Sequence, residues 1–471
     1  MRKTIPRGQR GIEDRTAEES DKPVIIDMFS GAGGESSGIE QAAKRAGLDI
    51  KLYAINHWQK AVETHQANFP DAEHICRDIA DINPADLVPG GEVPFMWTSP
   101  ECTQHSPARG GKPINDQKRV TPFTILDWLN KLTVDRLIIE NVREFEKWGP
   151  IDENGRPIKD REGEIFNAYI AMIRGLGYEV EWKTLNAADY GAPTTRSRLF
   201  IQAVRNCSGK KILWPEPTHS ASETGTLSRW IPAREIIDWT IPVQILDERK
   251  KPLAANTMAR ICRGIEKYWG ETARPFLVRY NGGDNRVHSI DKPLPVQDTS
   301  NRYGLVQPLV MHIGQTSSKG RTRGIDEPLA TVVTKQEACL ISPLFIPQHS
   351  GGSVRPTTGP LSTVTTDGAI GLVEPLIMNY NRTGVCRPVS NPIPTVTTRD
   401  RFALITAEDV RIGFRMLRPH ELAAAQSFPA NYVFHGTREE VVKQIGNAVC
   451  PRVAEALTAG YMRELARSVA A

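Results

Sequence analysis

The sequence predicts an α/β fold: a mainly parallel sheet covered by helices on both faces and interrupted by an inserted β-rich domain. Three observations carry this. From residue 24 to about 204, short β-branched runs alternate with helical patterns. From residue 208 the composition turns to Pro, Gly and Thr, and four related units recur within it. Beyond residue 411 helical patterns return, as if the first fold were being completed. The expected organisation is a flexible tail at 1–20, a first part of the α/β domain at 21–207, the inserted domain at 208–410 and a C-terminal part of the α/β domain at 411–471.

The expected strands, in order, are VIIDMF (24–29), LYAI (52–55), FMWTS (95–99), RLIIEN (136–141), VEWKTLN (180–186) and RLFIQAV (198–204). Their β-branched and aromatic side chains suit a pleated, buried surface. Between the first two, IEQAAKRAGL sets Ile39, Ala42, Ala43 and Ala46 on one helical stripe. The four inserted units open on FLVRY, LVMHI, LFIPQ and LIMNY and occupy about 276–406; their prolines Pro293, Pro328, Pro360 and Pro392 recur every 32–35 residues. Each unit reads as a strand, a Gly/Arg-rich turn, then a Pro-led Thr/Val strand, ending in a further short apolar run. The closing ALTAGYMRELARSVA has amphipathic helical spacing, with Leu457, Met462 and Leu465 among its apolar positions.

A chain of 471 residues exceeds one ordinary core, so two domains are expected. Apolar residues make up 39% and charged residues 24%, which fits a soluble globular protein, and no run approaches the roughly 18 apolar residues of a membrane span. The first residues, MRKTIPRGQRG, are basic with no apolar stretch behind them, unlike a secretory leader. Seven cysteines, at 76, 102, 207, 262, 339, 386 and 450, are scattered and never form a CxxC pair. That argues against a disulfide framework and a zinc site, and for a reducing, cytoplasmic location with no metal. The net charge is +4, with the positive excess in the middle of the chain, which permits a polyanionic partner without demanding one.

In parallel α/β sheets ligands sit at the carboxyl ends of the strands. The first strand runs into DMFSGAGGESSG, where Gly31, Gly33 and Gly34 suit either a purely structural turn or a cofactor loop. Phe29 beside them serves either to stack on an adenine or to fill the core. At the next two strand ends stand Asn56 and Asp78, polar side chains that suit a ribose and an adenine amino group; for Asp78 the alternative is a helix cap or turn residue. TSPECTQHS places Cys102 just past a strand end, a position that lifts it above a lone buried cysteine. RLIIENV delivers Glu140 and Asn141 to the same edge, and in APTTRSRLF the side chains of Arg196 and Arg198 alternate towards one face.

In combination and order these pieces resemble the C5-cytosine-specific DNA methyltransferase family of bacterial and phage type. DMFSGAGG is similar to its first motif, SPEC to its catalytic loop, ENV to its glutamate motif and RSR to its Arg-rich motif; FRMLRPHELAAAQSFP (414–429) and QIGNAVCP (444–451) resemble its ninth and tenth. The resemblance covers about 23–204 and 411–455 and implies a Rossmann-like, S-adenosylmethionine-dependent methyltransferase fold, with a target recognition domain in the gap. By this resemblance Cys102, Glu140, Arg196 and Arg198 are catalytic. Phe29, Gly31, Gly33, Asn56, Asp78, Pro100 and Asn447 bind S-adenosylmethionine, released as S-adenosylhomocysteine. Asn141, His105 and Ser106 lie near the substrate, and the implied partner is double-stranded DNA whose target cytosine is flipped out.

The resemblance further implies a monomer, no membrane, and a restriction-modification or phage setting in which a cognate endonuclease is a possible partner. Four positions depart from the family pattern: Glu101 replaces a proline before Cys102, Asn56-His57 replaces a ribose-binding glutamate, Thr194 replaces a glutamine, and His105 replaces a phenylalanine. In the inserted units, Arg286, Arg321, Arg323, Arg355, Arg382 and Arg387 are candidates for DNA contact, or else solvated hairpin tips. Two other functions share these motifs: a tRNA cytosine-5 methyltransferase, against which the long insert argues, and a catalytically silent DNA-binding regulator, against which the retained Cys102, Glu140, Arg196 and Arg198 argue.

Overall fold

The computed structural model describes residues 22–100, 121–222, 225–242 and 412–470; between 243 and 411 it describes 244–245, 250–251, 276–279, 287–296, 299, 303–312, 322–324, 338–340, 346–347, 370–371, 376–379, 386–388 and 402–405. The chain forms two compact units, one of 1–231, 295–300 and 422–471, the other of 232–294 and 301–421.

The first unit is built on a seven-stranded sheet. Strands β1 (Val24–Met28), β2 (Lys51–Asn56), β3 (Glu73–Cys76), β5 (Phe95–Thr98), β7 (Arg136–Asn141), β8 (Tyr178–Asn186) and β9 (Ser197–Arg205) lie in the order β3-β2-β1-β5-β7-β9-β8, while the short β4 (Glu92–Val93) and β6 (Thr133–Val134) pair separately, as do β10 (His219–Ser220) and β11 (Ser228–Arg229). The first five strands in that order are parallel, and β9 is antiparallel to both β7 and β8. The parallel crossovers are carried by helices α1 (Gly34–Arg45), α2 (Gln59–Asn68), the single turn α3 (Pro84–Leu87) and α4 (Thr124–Lys131), and α5 (Glu164–Gly175) precedes the β8–β9 hairpin.

Strand β3 was anticipated only as a strand end at Asp78, and its residues were not among the expected runs. EHIC is short, and half exposed because it has a neighbour on one side only, so it lacks the apolar run that marks its buried companions.

Alternate residues of the central strands enter two cores. Ile26, Met28, Met96, Leu137 and Ile139 pack with Trp128, Phe145 and Tyr169 on one face. Ile25, Phe95, Trp97 and Ile138 pack on the other with Ile39, Ala42 and Ala43 of α1 and with Val453, Leu457 and Met462 of the last helix. Thus Leu457 and Met462 are buried as their spacing predicted, and Leu465 packs partly buried beside them. Gly38 is needed where these helices meet: a Cβ there would lie 2.5 Å from the Ala454 Cβ and the Glu455 nitrogen.

In the second unit the first strand of a repeat is the central one. β13 (Phe276–Arg279) pairs with β14 (Val287–Ser289) and with the start of β15 (Tyr303–His312); the end of β15 pairs with β16 (Thr322–Gly324) and β17 (Ala338–Leu340). β18 (Ile346–Pro347) pairs with β19 (Ile370–Gly371), and β20 (Leu376–Asn379) with β21 (Cys386–Pro388) and β22 (Phe402–Ile405). All these pairs are antiparallel. Among the described residues, each of these opening strands thus pairs with the apolar run that closes its repeat; the Pro-led Thr/Val segments after Pro328, Pro360 and Pro392 lie outside the described residues. Proline lacks the N–H that a ladder needs, and around Pro293 the described residues form no strand.

The unit also holds β12 (Gln244–Ile245), β23 (Ile412–Met416), the start of helix α6 (Pro419–Ala425) and a buried two-pronged ion pair from Arg415 to Glu421, at 2.8 and 2.7 Å. Arg323 lies on β16 opposite Val310 and Arg387 on β21 opposite Ile377; Arg286, Arg321, Arg355 and Arg382 lie outside the described residues.

Candidate active site

The carboxyl ends of β1, β2, β5 and β7 open on one edge of the sheet. Because β9 runs antiparallel to β7, with Asn141 opposite Leu199, its beginning lies at that same edge and brings Arg196 and Arg198 to Glu140. Glu140 is 7% exposed, and the Arg198 Nε stands 3.1 Å from its Oε1. The angle at this pair is not that of a hydrogen bond, so Oε1 keeps its lone pairs for another donor. Burial raises the Glu140 pKa, and the Arg198 and Arg196 charges oppose the rise. A carboxyl so placed can hold or release a proton.

Arg196 behaves differently from its neighbour. Its Nη1 donates to the Gly446 carbonyl at 2.9 Å and its Nη2 to the Asn447 carbonyl at 3.3 Å, which ties the start of β9 to the QIGN segment. That segment ends helix α7 (Arg438–Asn447), whose start is fixed by a reciprocal cap between Thr437 and Glu440. Asn447 itself is exposed. Asn141 donates from Nδ2 to the Pro100 carbonyl at 3.3 Å and accepts from the Val142 N–H at 2.9 Å. It thereby joins the Glu140 turn to Pro100, the last described residue before Cys102. Pro100 is buried; Glu101, Cys102, His105 and Ser106 lie outside the described residues.

On the glycine turn, Phe29 holds a left-handed φ of 63°, one of two non-glycine residues among the described ones to do so. Such backbone costs about 1–2 kcal/mol and is kept where the surroundings impose it. Gly33, φ 85°, has no room for a side chain, since a Cβ would meet Phe69, Tyr432 and His65 within 2.9 Å. Gly31, φ 50°, faces open space, with only the Phe29 carbonyl at 3.8 Å from such a Cβ. The turn therefore has one glycine that seats it and one that leaves its backbone open to a ligand.

Two expected cofactor residues are engaged locally. The Asp78 Oδ1 caps the turn Ile79–Asp81 by accepting from Ala80 N at 3.0 Å, and the Asn56 Oδ1 accepts from Trp58 N at 2.8 Å. Next to Asn56, the half-buried Trp58 ring carries the Lys443 ammonium 4.5 Å from its centroid.

Beneath the glycine turn runs a buried polar chain that the motifs did not announce. Ser36 hydrogen-bonds to Asp27; His65 Nε2 lies 2.9 Å from the Ser36 hydroxyl, and its Nδ1 lies 2.8 Å from His74 Nε2. If Ser36 donates to Asp27, His65 donates to Ser36 and His74 to His65. Burial pushes the Asp27 carboxyl up to about 8 and holds His65 down at about 3. Glu35, 2% exposed, is raised well above the carboxylate range by burial, and then by Asp27 and Glu140. In sequence Glu35, Ser36 and His65 look like ordinary polar helix positions, and only the closeness of α1 and α2 to the sheet reveals them. Among the described residues no group of His, Cys, Asp and Glu is arranged to hold a metal ion.

The model of the C-5 cytosine-specific DNA methylase family matches residues 24–257 and 353–462. The type II methyltransferase M.SacI of Streptomyces achromogenes is 30% identical over 210 residues, 42% of this chain and 51% of that protein. M1.HphI of Haemophilus parahaemolyticus is 29% identical over 206 residues, 43% of this chain and 50% of that protein. The chain thus spans about half the length of the curated relatives it matches. Of solved structures, the Entamoeba histolytica methyltransferase EhMeth is similar with a TM-score of 0.46 and 11% identity, over 94% of this chain and 98% of that one.

Proposed function

The chain belongs to the C-5 cytosine-specific DNA methylase family, and from that premise we propose that it methylates C5 of a flipped-out cytosine in a specific sequence of double-stranded DNA, through a covalent adduct of Cys102 with C6. The observation that carries the reading is Glu140, buried beside Arg198 and linked through Asn141 to Pro100, at the root of the Cys102 loop.

Cytosine C5 is a poor nucleophile. A Cys102 thiolate adding to C6 pushes electron density through the ring to C5, provided N3 takes up a proton. Glu140, whose hold on a proton is strengthened by burial, supplies that proton and its hydrogen bond. Arg198, against Glu140, holds the electron-rich edge of the base and favours the thiolate. Arg196 holds the QIGN segment in place from below. After methylation the C5 proton leaves to a base, the Cys102–C6 bond breaks, and Glu140 recovers its proton from N3.

S-adenosylmethionine, when bound, supplies the methyl group as that of a sulfonium. The residues present fit it: the open backbone at Gly31 permits close approach, Phe29 flanks it, and Asn56, Asp78, Pro100 and Asn447 border the same edge of the sheet. Since the Asn56 Oδ1 is engaged by Trp58 N, we assign the ribose contact to the neighbouring His57, exposed in the place of the family's glutamate. The unit of 232–294 and 301–421 is read as the target recognition domain, and the arginines of its repeats as DNA contacts, with Arg323 and Arg387 presented from strands rather than turns.

The type II methyltransferase relatives support a sequence-specific modification of the kind paired with restriction. Cytosine-methylation sequencing of DNA from cells expressing the protein tests the reading. The expected result is 5-methylcytosine in one sequence context, abolished by Cys102→Ala; methylation of tRNA with none of DNA would overturn it.

A further inference from the structure

The glycine turn is held by a loop from the other end of the sequence. The Tyr432 hydroxyl donates to the Ala32 carbonyl. The N–H of the same peptide group, that of Gly33, donates to the Ser30 carbonyl at 2.8 Å. Both polar ends of the Ala32–Gly33 peptide are therefore engaged. That restraint matters because Gly31 and Gly33, on either side of Ala32, hold φ values of 50° and 85° with no side chain to limit their rotation. The Tyr432 hydroxyl also lies against Gly33 itself, where a Cβ would come within 2.8 Å of it.

Tyr432 is firmly anchored in turn. Its ring packs with those of Phe428, Phe434 and Phe69, whose centroids lie 4.7, 5.1 and 6.2 Å away. The next residue, Val433, exchanges hydrogen bonds with the Asn68 side chain at 2.7 and 2.9 Å, and the His435 N–H donates to the Thr64 hydroxyl at 2.9 Å, so the loop is docked on α2. From the QIGN segment, Gln444 donates to the His435 carbonyl at 2.7 Å. The loop falls between the two C-terminal motifs, 414–429 and 444–451, and neither contains Tyr432.

We propose that Tyr432 is a positioning residue for S-adenosylmethionine, its hydroxyl fixing the Ala32–Gly33 peptide so that the glycine turn meets the cofactor already in its binding shape. The proposal rests on the cofactor reading given above and deepens it. A carbonyl only accepts, so the phenol must be the donor, and a phenylalanine in its place keeps the ring packing but frees the peptide. Ordering the turn would then fall to the binding step and be charged against affinity. The chemical step, which belongs to residues elsewhere on the sheet edge, would proceed as before once the cofactor is bound.

The test measures S-adenosylhomocysteine binding by calorimetry for the full chain as wild type, Tyr432→Phe, Asn68→Ala, the double variant and Tyr178→Phe. The last is a control: it removes a similar bond, from the Tyr178 hydroxyl to the Val134 carbonyl at 2.9 Å, at the opposite edge of the sheet. Hydrogen exchange of the amides of 29–37 without cofactor, steady-state methylation and melting curves accompany it. Tyr432→Phe should weaken binding about fivefold or more, raise KM for S-adenosylmethionine to match, and leave kcat and KM for DNA within about twofold. Exchange in 29–37 should quicken. Asn68→Ala, which undocks the loop, should act in the same direction, and the double variant should fall short of the product of the two. Tyr178→Phe should leave both binding and exchange in 29–37 unchanged.

A Tyr432→Phe protein with wild-type affinity, one whose kcat falls while its affinity holds, or a Tyr178→Phe control weakened as much would each overturn the proposal. So would effects of Tyr432→Phe and Asn68→Ala that multiply in full. A wild-type protein that binds neither S-adenosylhomocysteine nor S-adenosylmethionine would sink the cofactor reading instead, and the exchange arm alone would then decide whether Tyr432 holds the turn.

Discussion

Burying a carboxyl beside a guanidinium sets two opposing forces on Glu140, and burial is the larger. The balance raises its pKa, so this carboxyl holds a proton more readily than a solvated one. Glu140→Gln keeps the shape and a hydrogen-bond donor but cannot transfer a proton. It should lower kcat by roughly 10²-fold or more, the usual loss when a proton donor or transition-state contact is removed, with little change in KM for DNA, as steady-state kinetics can check.

The buried acids also make a stability prediction. Asp27 is raised to about 8, and Glu35 and Glu140 are raised too, so the folded protein binds protons that the unfolded chain releases. That contribution is fully present below the unfolded carboxylate pKa of about 4 and is lost as pH rises through the folded values. His65, lowered to about 3, works the other way, and its opposition ends near its unfolded pKa of about 6.5. The melting temperature should therefore fall most steeply between about pH 6.5 and 8, and Asp27→Asn should flatten that fall. An unchanged slope in Asp27→Asn would show that Asp27 is not the titrating group.

At the scale of elements, the seating of α1 on the last helix, α8 (Pro451–Ala470), holds the glycine turn in place. Gly38 shows which effect wins there. Alanine is favoured over glycine inside a helix by up to about 1 kcal/mol. Its Cβ would, however, meet Ala454 and the Glu455 backbone at 2.5 Å, and such overpacking costs about 1–3 kcal/mol. Gly38→Ala should lower stability in denaturant melts despite its better propensity.

The inner strands of the central sheet were legible because their apolar runs are buried on both faces, and the edge strand β8 because it is long and rich in β-branched and aromatic residues. The run of β3 was not, because EHIC is a short edge strand with no apolar run. In the repeats, the opening and closing strands are apolar enough to read, but which of them pair is decided by backbone hydrogen bonds that side chains do not announce. At the site, Glu140, Arg196 and Arg198 were legible as one edge because strand ends and alternation define it. That Arg196 is spent on the Gly446 and Asn447 carbonyls was not, since those partners lie 250 residues away. Glu35 and His65 were hidden for the same reason: a helix's buried face is visible in sequence only when it is apolar.

For the whole molecule, the family match at 24–257 and 353–462 frames a chain whose sheet-bearing unit is assembled from both ends of the sequence. The segment between contributes repeated antiparallel strands centred on the first strand of a repeat. On the proposed reading the first unit performs the chemistry and the second selects the sequence. The two tasks can fail separately: a change at Glu140 should slow methylation at an unchanged sequence, whereas a change at a repeat arginine that reads a base should alter the sequence methylated.

All of this depends on Cys102 forming a bond to the base. Duplex DNA carrying 5-fluorocytosine at the target tests it most directly, because fluorine cannot leave C5 as a proton does, so the thiol cannot be eliminated after methylation. With S-adenosylmethionine present, a protein–DNA complex stable to denaturation should accumulate, with its DNA on the peptide containing Cys102, and Cys102→Ala should form none. Methylation of ordinary DNA by Cys102→Ala, or full turnover of the fluorinated duplex without a trapped complex, would contradict the account.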